Sequence, residues 1–173
     1  MEIARWWEIV GGALDDGGEP RPEVVLARLR QLPPEDILAF ERHYAEHLRQ
    51  SYLHPLWAAA YLIEGGCGDD GFRDFRAGLI LQGRAAFEQA VADPDALADL
   101  PIVRRMADDE GWLGCEGLHY VARQAYGDPE AFDAALGELR RGPAPAGGER
   151  WDVEDEDANR RHLPRLAAMF QDV

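Results

Sequence analysis

A cysteine and two aspartates lie close together in the glycine-rich segment 65–71. Cys67, Asp69 and Asp70 all precede a predicted helix that begins near Gly71. A thiol at a helix N-terminus has a lowered pKa and can act as a nucleophile, although two adjacent carboxylates oppose thiolate formation. The aspartates could bind a metal or exchange protons. Alternatively, Cys67 is a small buried residue in a tight turn, and the aspartates cap the helix and favour its dipole.

Two histidines in the segment His43-Tyr44-Ala45-Glu46-His47 match H-x-x-E-H, the inverted zinc-protease pattern. Histidines four residues apart share one helix face and can chelate zinc. This pattern arises easily in a chain with 16 Glu and 5 His, and no third ligand is indicated. The alternative is the solvated flank of an arginine-rich helix, and we therefore predict no cofactor.

Two charged residues, Glu41 and Arg76, fall inside apolar helical stripes. The stripes consist of Ile37, Phe40, Tyr44 and Leu48 in one helix, and of Phe72, Phe75, Leu79, Gly83, Ala86 and Ala90 in another. A charge directed at a core needs a partner or a polar pocket. We expect Glu41 and Arg76 to form a buried salt bridge or to line one cleft, with Asp70 and Gln82 near by. The remaining alternative is exposure at the stripe edge.

Several residue types that enzymes use are missing from the chain. All 18 basic residues are Arg, so a Walker A lysine and a Schiff-base lysine are excluded. There is no Thr, and Ser51 is the one serine, in Arg-Gln-Ser-Tyr rather than a G-x-S-x-G elbow. What remains does not specify a reaction.

The composition predicts a helical protein that is strongly acidic. Ala (26) and Leu (19) dominate, whereas Val and Ile together number 14. We predict an all-α fold, a compact irregular bundle of about seven or eight helices. The net charge of −15 argues against binding to nucleic acid or to an anionic membrane surface.

Apolar periodicity and turn residues locate the helices that must position these groups. Asp93-Pro94 and Asp128-Pro129 each place a capping aspartate before proline, which indicates a helix start. Gly78 and Gly83 within one helix indicate close helix–helix approach. The other predicted helices span 2–14, 22–32, 34–53, 55–63, 71–92, 112–126 and 158–171.

The chain reads as one helical domain over residues 1–173. A Gly/Pro-rich loop is predicted at 142–148, and we expect the C-terminal helix to pack back on the main body. Two cysteines are too few for a secreted disulfide scaffold. No secretory signal and no membrane-length apolar run is visible, so we expect a cytoplasmic protein.

Residues 57–98 carry a resemblance to a known family. The characteristic features are Trp57 with the alanines that follow, the segment Gly65-Gly66-Cys67, the segment Asp69-Asp70-Gly71-Phe72, and then Phe75-Arg76, Gln82-Gly83-Arg84 and Asp93-Pro94. In these features the chain resembles the bacterial domain-of-unknown-function family 4240. Gly68 departs from the serine expected there. The resemblance implies a bacterial, cytoplasmic protein and brings no catalytic residues to transfer.

We predict a non-enzymatic cytoplasmic binding or regulatory module whose partner is an unidentified protein or small molecule. The candidate ligand-binding residues are Glu41, Trp57, Tyr61, Cys67, Asp69, Asp70, Arg76 and Gln82. One alternative is a small hydrolase or metal-dependent enzyme that uses the Cys67/Asp69/Asp70 turn or the histidine pair His43 and His47. Another is an acidic immunity-type protein that binds a basic partner.

Overall fold

The computed structural model describes residues 1–137 and 147–171, and these residues are predominantly helical. The α-helices are α1 (Ile3–Val10), α2 (Pro22–Leu29), α3 (Pro34–Gln50), α4 (His54–Glu64), α5 (Asp69–Leu81), α6 (Arg84–Ala92), α7 (Pro101–Ala107), α8 (Val121–Tyr126), α9 (Pro129–Leu136), α10 (Glu156–His162) and α11 (Pro164–Phe170). Two 3-10 helices span Pro94–Asp99 and Glu116–Tyr120. No β-strand occurs in the described residues, so the all-α prediction is confirmed.

The prediction of seven or eight helices is wrong because several predicted helices are interrupted. The predicted helix over 71–92 is two helices, since Gly83 between α5 and α6 has φ +95°, a left-handed value that glycine tolerates. The predicted helix over 158–171 breaks before Pro164, which restricts the preceding residue and lacks a backbone N–H. The predicted helix over 112–126 begins with a segment that has no regular secondary structure, and the sequence does not predict α7.

Close approach of a neighbouring backbone explains why glycine occupies position 78, but it does not explain Gly83. A Cβ atom on Gly78 would lie 1.7 Å from the carbonyl oxygen of Leu113. The neighbour is thus the non-helical segment 111–115 rather than another helix. A Cβ atom on Gly83 would meet nothing within 4 Å, so the predicted helix–helix approach is wrong there.

Five large aromatic side chains are fully buried in the hydrophobic core. Each is less than 2% exposed, and they come from α1, α3, α5 and α9: Trp6, Phe40, Phe72, Phe75 and Phe132. Burial of an aromatic side chain contributes about 1.5–3 kcal/mol. Helix α3 packs against α1, α5, α8 and α9, so it links much of the bundle.

Aspartates provide N-terminal caps, as predicted for Asp93 and Asp128. Asp93 accepts a hydrogen bond from a backbone N–H of the first 3-10 helix, and Asp128 accepts two from the start of α9. A third aspartate, Asp155, caps α10 in the same way. Such caps contribute about 1 kcal/mol each.

The last helix, α11, is held by residues far away in the sequence. It packs against α4, α7 and the first 3-10 helix. The buried carboxylate of Asp95 accepts hydrogen bonds from the backbone N–H groups of Arg165 and Leu166, both at 3.0 Å. The Arg165 guanidinium also pairs with Asp99. Of the predicted loop at 142–148, residues 142–146 lie outside the described residues. Among the described helices, none is both long enough and apolar enough to cross a membrane.

Candidate functional site

A pocket of about 420 Å³ lies between α4, the turn that follows it and the segment 147–154. We call it the aromatic pocket because four of its lining side chains carry aromatic rings. The lining residues are Tyr52, His54, Trp57, Ala58, Tyr61, Cys67, Arg150 and Val153. This volume falls within the range of about 300–1,000 Å³ that is typical of small-molecule sites.

The indole ring of Trp57 is fixed from two directions. Its Nε1–H donates to the carbonyl oxygen of Cys67 at 2.8 Å. Phe72 on α5 stacks on the ring, with centroids 5.0 Å apart and planes 8° apart. Because the turn after α4 and helix α5 both hold the indole, the pocket gains a rigid aromatic wall.

Tyr52 lies between the pocket and a buried guanidinium. Its hydroxyl donates to the Asp69 carboxylate at 3.2 Å. The guanidinium carbon of Arg76 lies 4.8 Å from the centroid of the Tyr52 ring and 4.6 Å from that of Phe72. Such cation–π contacts contribute about 0.5–2 kcal/mol, depending on desolvation.

Arg76 is 6% exposed and links α5 to the end of α3. Its Nη1 donates to the carbonyl oxygen of Leu48 at 2.6 Å, and its Nε to that of Phe72 at 3.1 Å. Leu48 belongs to the last turn of α3, where free carbonyl groups favour a cation. Burial lowers the pKa of Arg76 to about 10, so the side chain remains charged at neutral pH.

The second wall of the aromatic pocket comes from the chain after residue 146. Backbone hydrogen bonds join Gly147 to the start of α4: the His54 N–H donates to the Gly147 oxygen at 2.7 Å, and the Gly147 N–H donates to the Tyr52 oxygen at 3.1 Å. Farther along, the Tyr61 hydroxyl donates to Glu154 at 3.5 Å. These contacts hold the segment 147–154 beside α4.

Two titratable lining residues, His54 and Cys67, are neutral at physiological pH. Burial and the nearby Arg150 lower the pKa of His54, which favours the uncharged imidazole. Burial and the neighbouring Glu64 carboxylate raise the pKa of Cys67 far above its ordinary value. The thiol therefore stays protonated, whereas a nucleophilic cysteine needs the thiolate.

The structure brings some of the predicted site residues together and separates others. Trp57, Tyr61 and Cys67 line the pocket, Asp69 contacts the Tyr52 hydroxyl, and Arg76 lies behind the Tyr52 ring. Three other predicted site residues do not line the pocket: Glu41, Asp70 and Gln82.

Each of those three residues has another environment. Gln82 donates from Nε2 to the Gly18 oxygen at 2.9 Å and does not line the aromatic pocket. Asp70 is exposed in the first turn of α5, where it and Asp69 favour the helix dipole. Glu41 on α3 is half-buried and interacts electrostatically with Tyr44.

Five lining residues are not among the candidates from the sequence: Tyr52, His54, Ala58, Arg150 and Val153. Tyr52 lies in the short connection between α3 and α4, and His54 is the first residue of α4. Tyr52 precedes Trp57 by five residues, which is a usable signal in the sequence. Arg150 and Val153 follow the loop that the sequence predicts at 142–148, and nothing in their local sequence indicates contact with α4.

The histidine pair on α3 has structural contacts that differ from both sequence interpretations. His47 is 7% exposed, so a solvated helix flank is wrong for this residue. It stacks on Trp6 with centroids 4.3 Å apart, and its Nδ1 lies 2.7 Å from the His43 oxygen. The Nε2 of His43 lies 3.0 Å from the Met1 oxygen. Among the described residues, no group of three His, Cys, Asp or Glu side chains could hold a metal ion.

A second polar cluster connects α3, α5 and the second 3-10 helix. The Nε2 of His119 lies 2.9 Å from Asp74 Oδ1, and its Nδ1 lies 2.5 Å from the Tyr44 hydroxyl. Burial lowers the pKa of His119, so the neutral ring donates to Asp74 and accepts from Tyr44. Tyr44 is 2% exposed and cannot reach a ligand.

Comparison with known proteins identifies a family. Residues 1–128 match the model of a family described as "Protein of unknown function (DUF4240)". No curated protein and no solved structure matches the chain. The match covers the lining residues from Tyr52 to Cys67, whereas Arg150 and Val153 follow the matched region. Since the match extends over well over half of the sequence, the chain belongs to the DUF4240 family.

Proposed function

We propose that the protein is a non-enzymatic binding module and that the aromatic pocket is its ligand site. The observation that carries the proposal is the rigid aromatic lining of a cavity of about 420 Å³. Trp57 is held by a hydrogen bond and by stacking, while Tyr52 and Tyr61 are held through their hydroxyl groups. Pre-organised rings lose little conformational entropy when a ligand binds.

The ligand of such a pocket is a flat, largely apolar group of about two fused rings. Tyr52 and Trp57 offer aromatic faces, and Val153 adds an aliphatic contact. Stacking between rings contributes about 0.5–1.5 kcal/mol beyond the buried area. We also propose a cytoplasmic location, which suits the two free thiols of Cys67 and Cys115.

The enzymatic alternative has weaker support from the contacts of its candidate residues. A protonated Cys67 thiol does not favour nucleophilic catalysis, and the ring nitrogens His43 Nε2 and His47 Nδ1 lie at hydrogen-bond distance from backbone oxygens. The alternative of a basic partner rests on the net charge of −15 alone.

Titration with the neutral probe 2-naphthalenemethanol, followed by calorimetry, tests the proposal. We expect binding to the full chain and an approximately fivefold weaker affinity for Tyr61→Ala, because one wall of the pocket is lost. Tyr120→Ala is the matched control, since Tyr120 is 46% exposed and lies outside the pocket lining. Absence of binding, or equal weakening by both substitutions, would refute the proposal.

A further inference from the structure

The charges around the aromatic pocket indicate which kind of apolar ligand it accepts. Among the described residues that line it, Arg150 is the one with a formal charge at neutral pH, because His54 and Cys67 are both neutral. The charge of Arg150 acts on both Tyr52 and His54, so a ligand inside the pocket lies near a guanidinium, and no carboxylate of the described residues belongs to the lining.

A second positive charge lies behind the aromatic wall. The Arg76 guanidinium stacks on the Tyr52 ring at 4.8 Å from its centroid, and it is buried. A cation on one face of a ring weakens the attraction of that ring for a further cation. Burial also reduces the screening of this charge by water. Arg76 thus disfavours an ammonium ligand even though it does not line the pocket.

Three carboxyl groups of described residues contact residues of the lining. Asp69 accepts from the Tyr52 hydroxyl, Glu154 accepts from the Tyr61 hydroxyl, and Glu64 contacts the Cys67 thiol. None of the three is part of the lining. They make the hydroxyl ends of both rings and the surroundings of Cys67 unfavourable for a negative charge, so an anionic group is directed toward Arg150 instead.

We propose that the ligand is a flat apolar acid, whose rings lie against Tyr52 and Trp57 and whose carboxylate pairs with Arg150. This inference rests on the proposed function of the aromatic pocket and adds the charge of the ligand. Guanidinium and carboxylate match in geometry and can form two parallel hydrogen bonds. Arg150 is exposed, which keeps the gain modest.

Three probes with the same ring system separate the two proposals: 2-naphthoate, 2-naphthalenemethanol and 2-naphthylmethylammonium. Calorimetry on the full chain at low salt gives their dissociation constants. We expect all three to bind, with 2-naphthoate about three- to tenfold tighter than the alcohol and the ammonium weakest. Added salt should reduce the preference for the acid.

Substitutions at the exposed Arg150 identify the source of the preference. Arg150→Gln should bring the affinity for 2-naphthoate to that for the alcohol, and Arg150→Lys should retain part of the difference. Arg5→Gln, an exposed position on α1 outside the pocket lining, is the control with the same change in net charge. Its affinities should be unchanged.

The outcomes are distinguishable. Equal binding of the three probes, or tightest binding of the ammonium, overturns the inference about charge and leaves the binding function standing. A preference for the acid that survives Arg150→Gln also overturns it. Failure of all three probes to bind overturns the proposed function itself.

Discussion

Glu64 at the end of α4 makes the stability of this protein depend on pH. Its Oε1 is buried without a hydrogen-bond partner. Burial raises the pKa of Glu64 from 4.5 to about 7, the Asp74 carboxylate adds to the rise, and contact with the Cys67 thiol opposes it. The position at a helix C-terminus also disfavours a negative charge.

The direction of the effect follows from proton linkage. The folded state keeps the Glu64 proton up to a pH near 7, whereas the unfolded chain loses it near 4.5. The stability that results from the raised pKa of Glu64 is therefore fully present below pH 4.5 and is lost as the pH rises to 7 and above. The full pKa difference corresponds to about 3 kcal/mol. Because the side chain is only half-buried, water screens the charge, and we expect about 1–2 kcal/mol.

Glu64→Gln removes the titration and keeps the size of the side chain. Urea unfolding at a series of pH values between 4 and 8.5 gives the free energy of unfolding of both proteins. We expect the variant to gain about 1–2 kcal/mol relative to the wild type between pH 4.5 and pH 8. The free energy of unfolding of the variant is compared with that of the wild type at each pH. This comparison is needed because His47 and His119 have lowered pKa values, so their titration changes stability with pH in the opposite direction in both proteins.

Glu35→Gln serves as the control, since Glu35 is exposed in the first turn of α3. A carboxylate in the first turn favours the helix dipole, so this variant should lose no more than about 0.3–1 kcal/mol relative to the wild type as the pH rises, opposite in sign to Glu64→Gln. If the difference between Glu64→Gln and the wild type is flat with pH, the carboxyl does not carry the raised pKa and the reasoning fails.

Three further substitutions test contacts on which the fold depends, each by chemical denaturation. Asp95→Ala removes the acceptor for two backbone N–H groups at the start of α11 and should cost about 1–3 kcal/mol; a smaller loss than 0.5 kcal/mol would contradict the role of this cap. Gly78→Ala places a Cβ atom 1.7 Å from a backbone oxygen and should cost about 2 kcal/mol or more, whereas Gly68→Ala, with open space around it, should be nearly neutral. Tyr44→Phe leaves the Nδ1 of His119 without its 2.5 Å partner and should cost about 1–3 kcal/mol, and unchanged stability would argue against that hydrogen bond.

Local chemistry made part of this structure predictable. Scarcity of β-branched residues predicts helices, and Asp-Pro pairs predict helix starts at Asp93 and Asp128, where the carboxylates do cap. The helical spacing around Arg76 predicts a side chain directed inward, and that side chain is buried. These signals depend on neighbours within one helix, so a single sequence contains them.

Helix interruptions were harder to predict because apolar periodicity continues through them. The stripe from Phe72 to Ala90 extends across Gly83, although the backbone there turns to φ +95°. Glycine inside a helical pattern costs about 1 kcal/mol, which is too little to indicate whether the helix ends.

The candidate site depends on contacts that cross long stretches of sequence. Trp57, Tyr61 and Cys67 were found because they belong to one helix and its following turn. Arg150 reaches the same pocket from far along the chain, and Gln82, which was grouped with Arg76, contacts Gly18 instead. Periodicity assigns a residue to a face of its own helix, but it does not say which element covers that face.

The composition also explains why net charge is a weak guide to function in this protein. With one Ser, one Asn and no Thr, the side-chain caps at the described helix N-termini are aspartates, including Asp95 from a distant helix. With no Lys, arginines meet the carbonyl groups at helix C-termini: Arg28 donates to the oxygens of Ile9 and Gly11 at the end of α1, as Arg76 does at the end of α3. Each of these charges stabilises a helix end. The charge of −15 therefore counts structural aspartates and arginines together with any that bind a partner, and only the position of a charge beside a cavity, as for Arg150, points to a ligand.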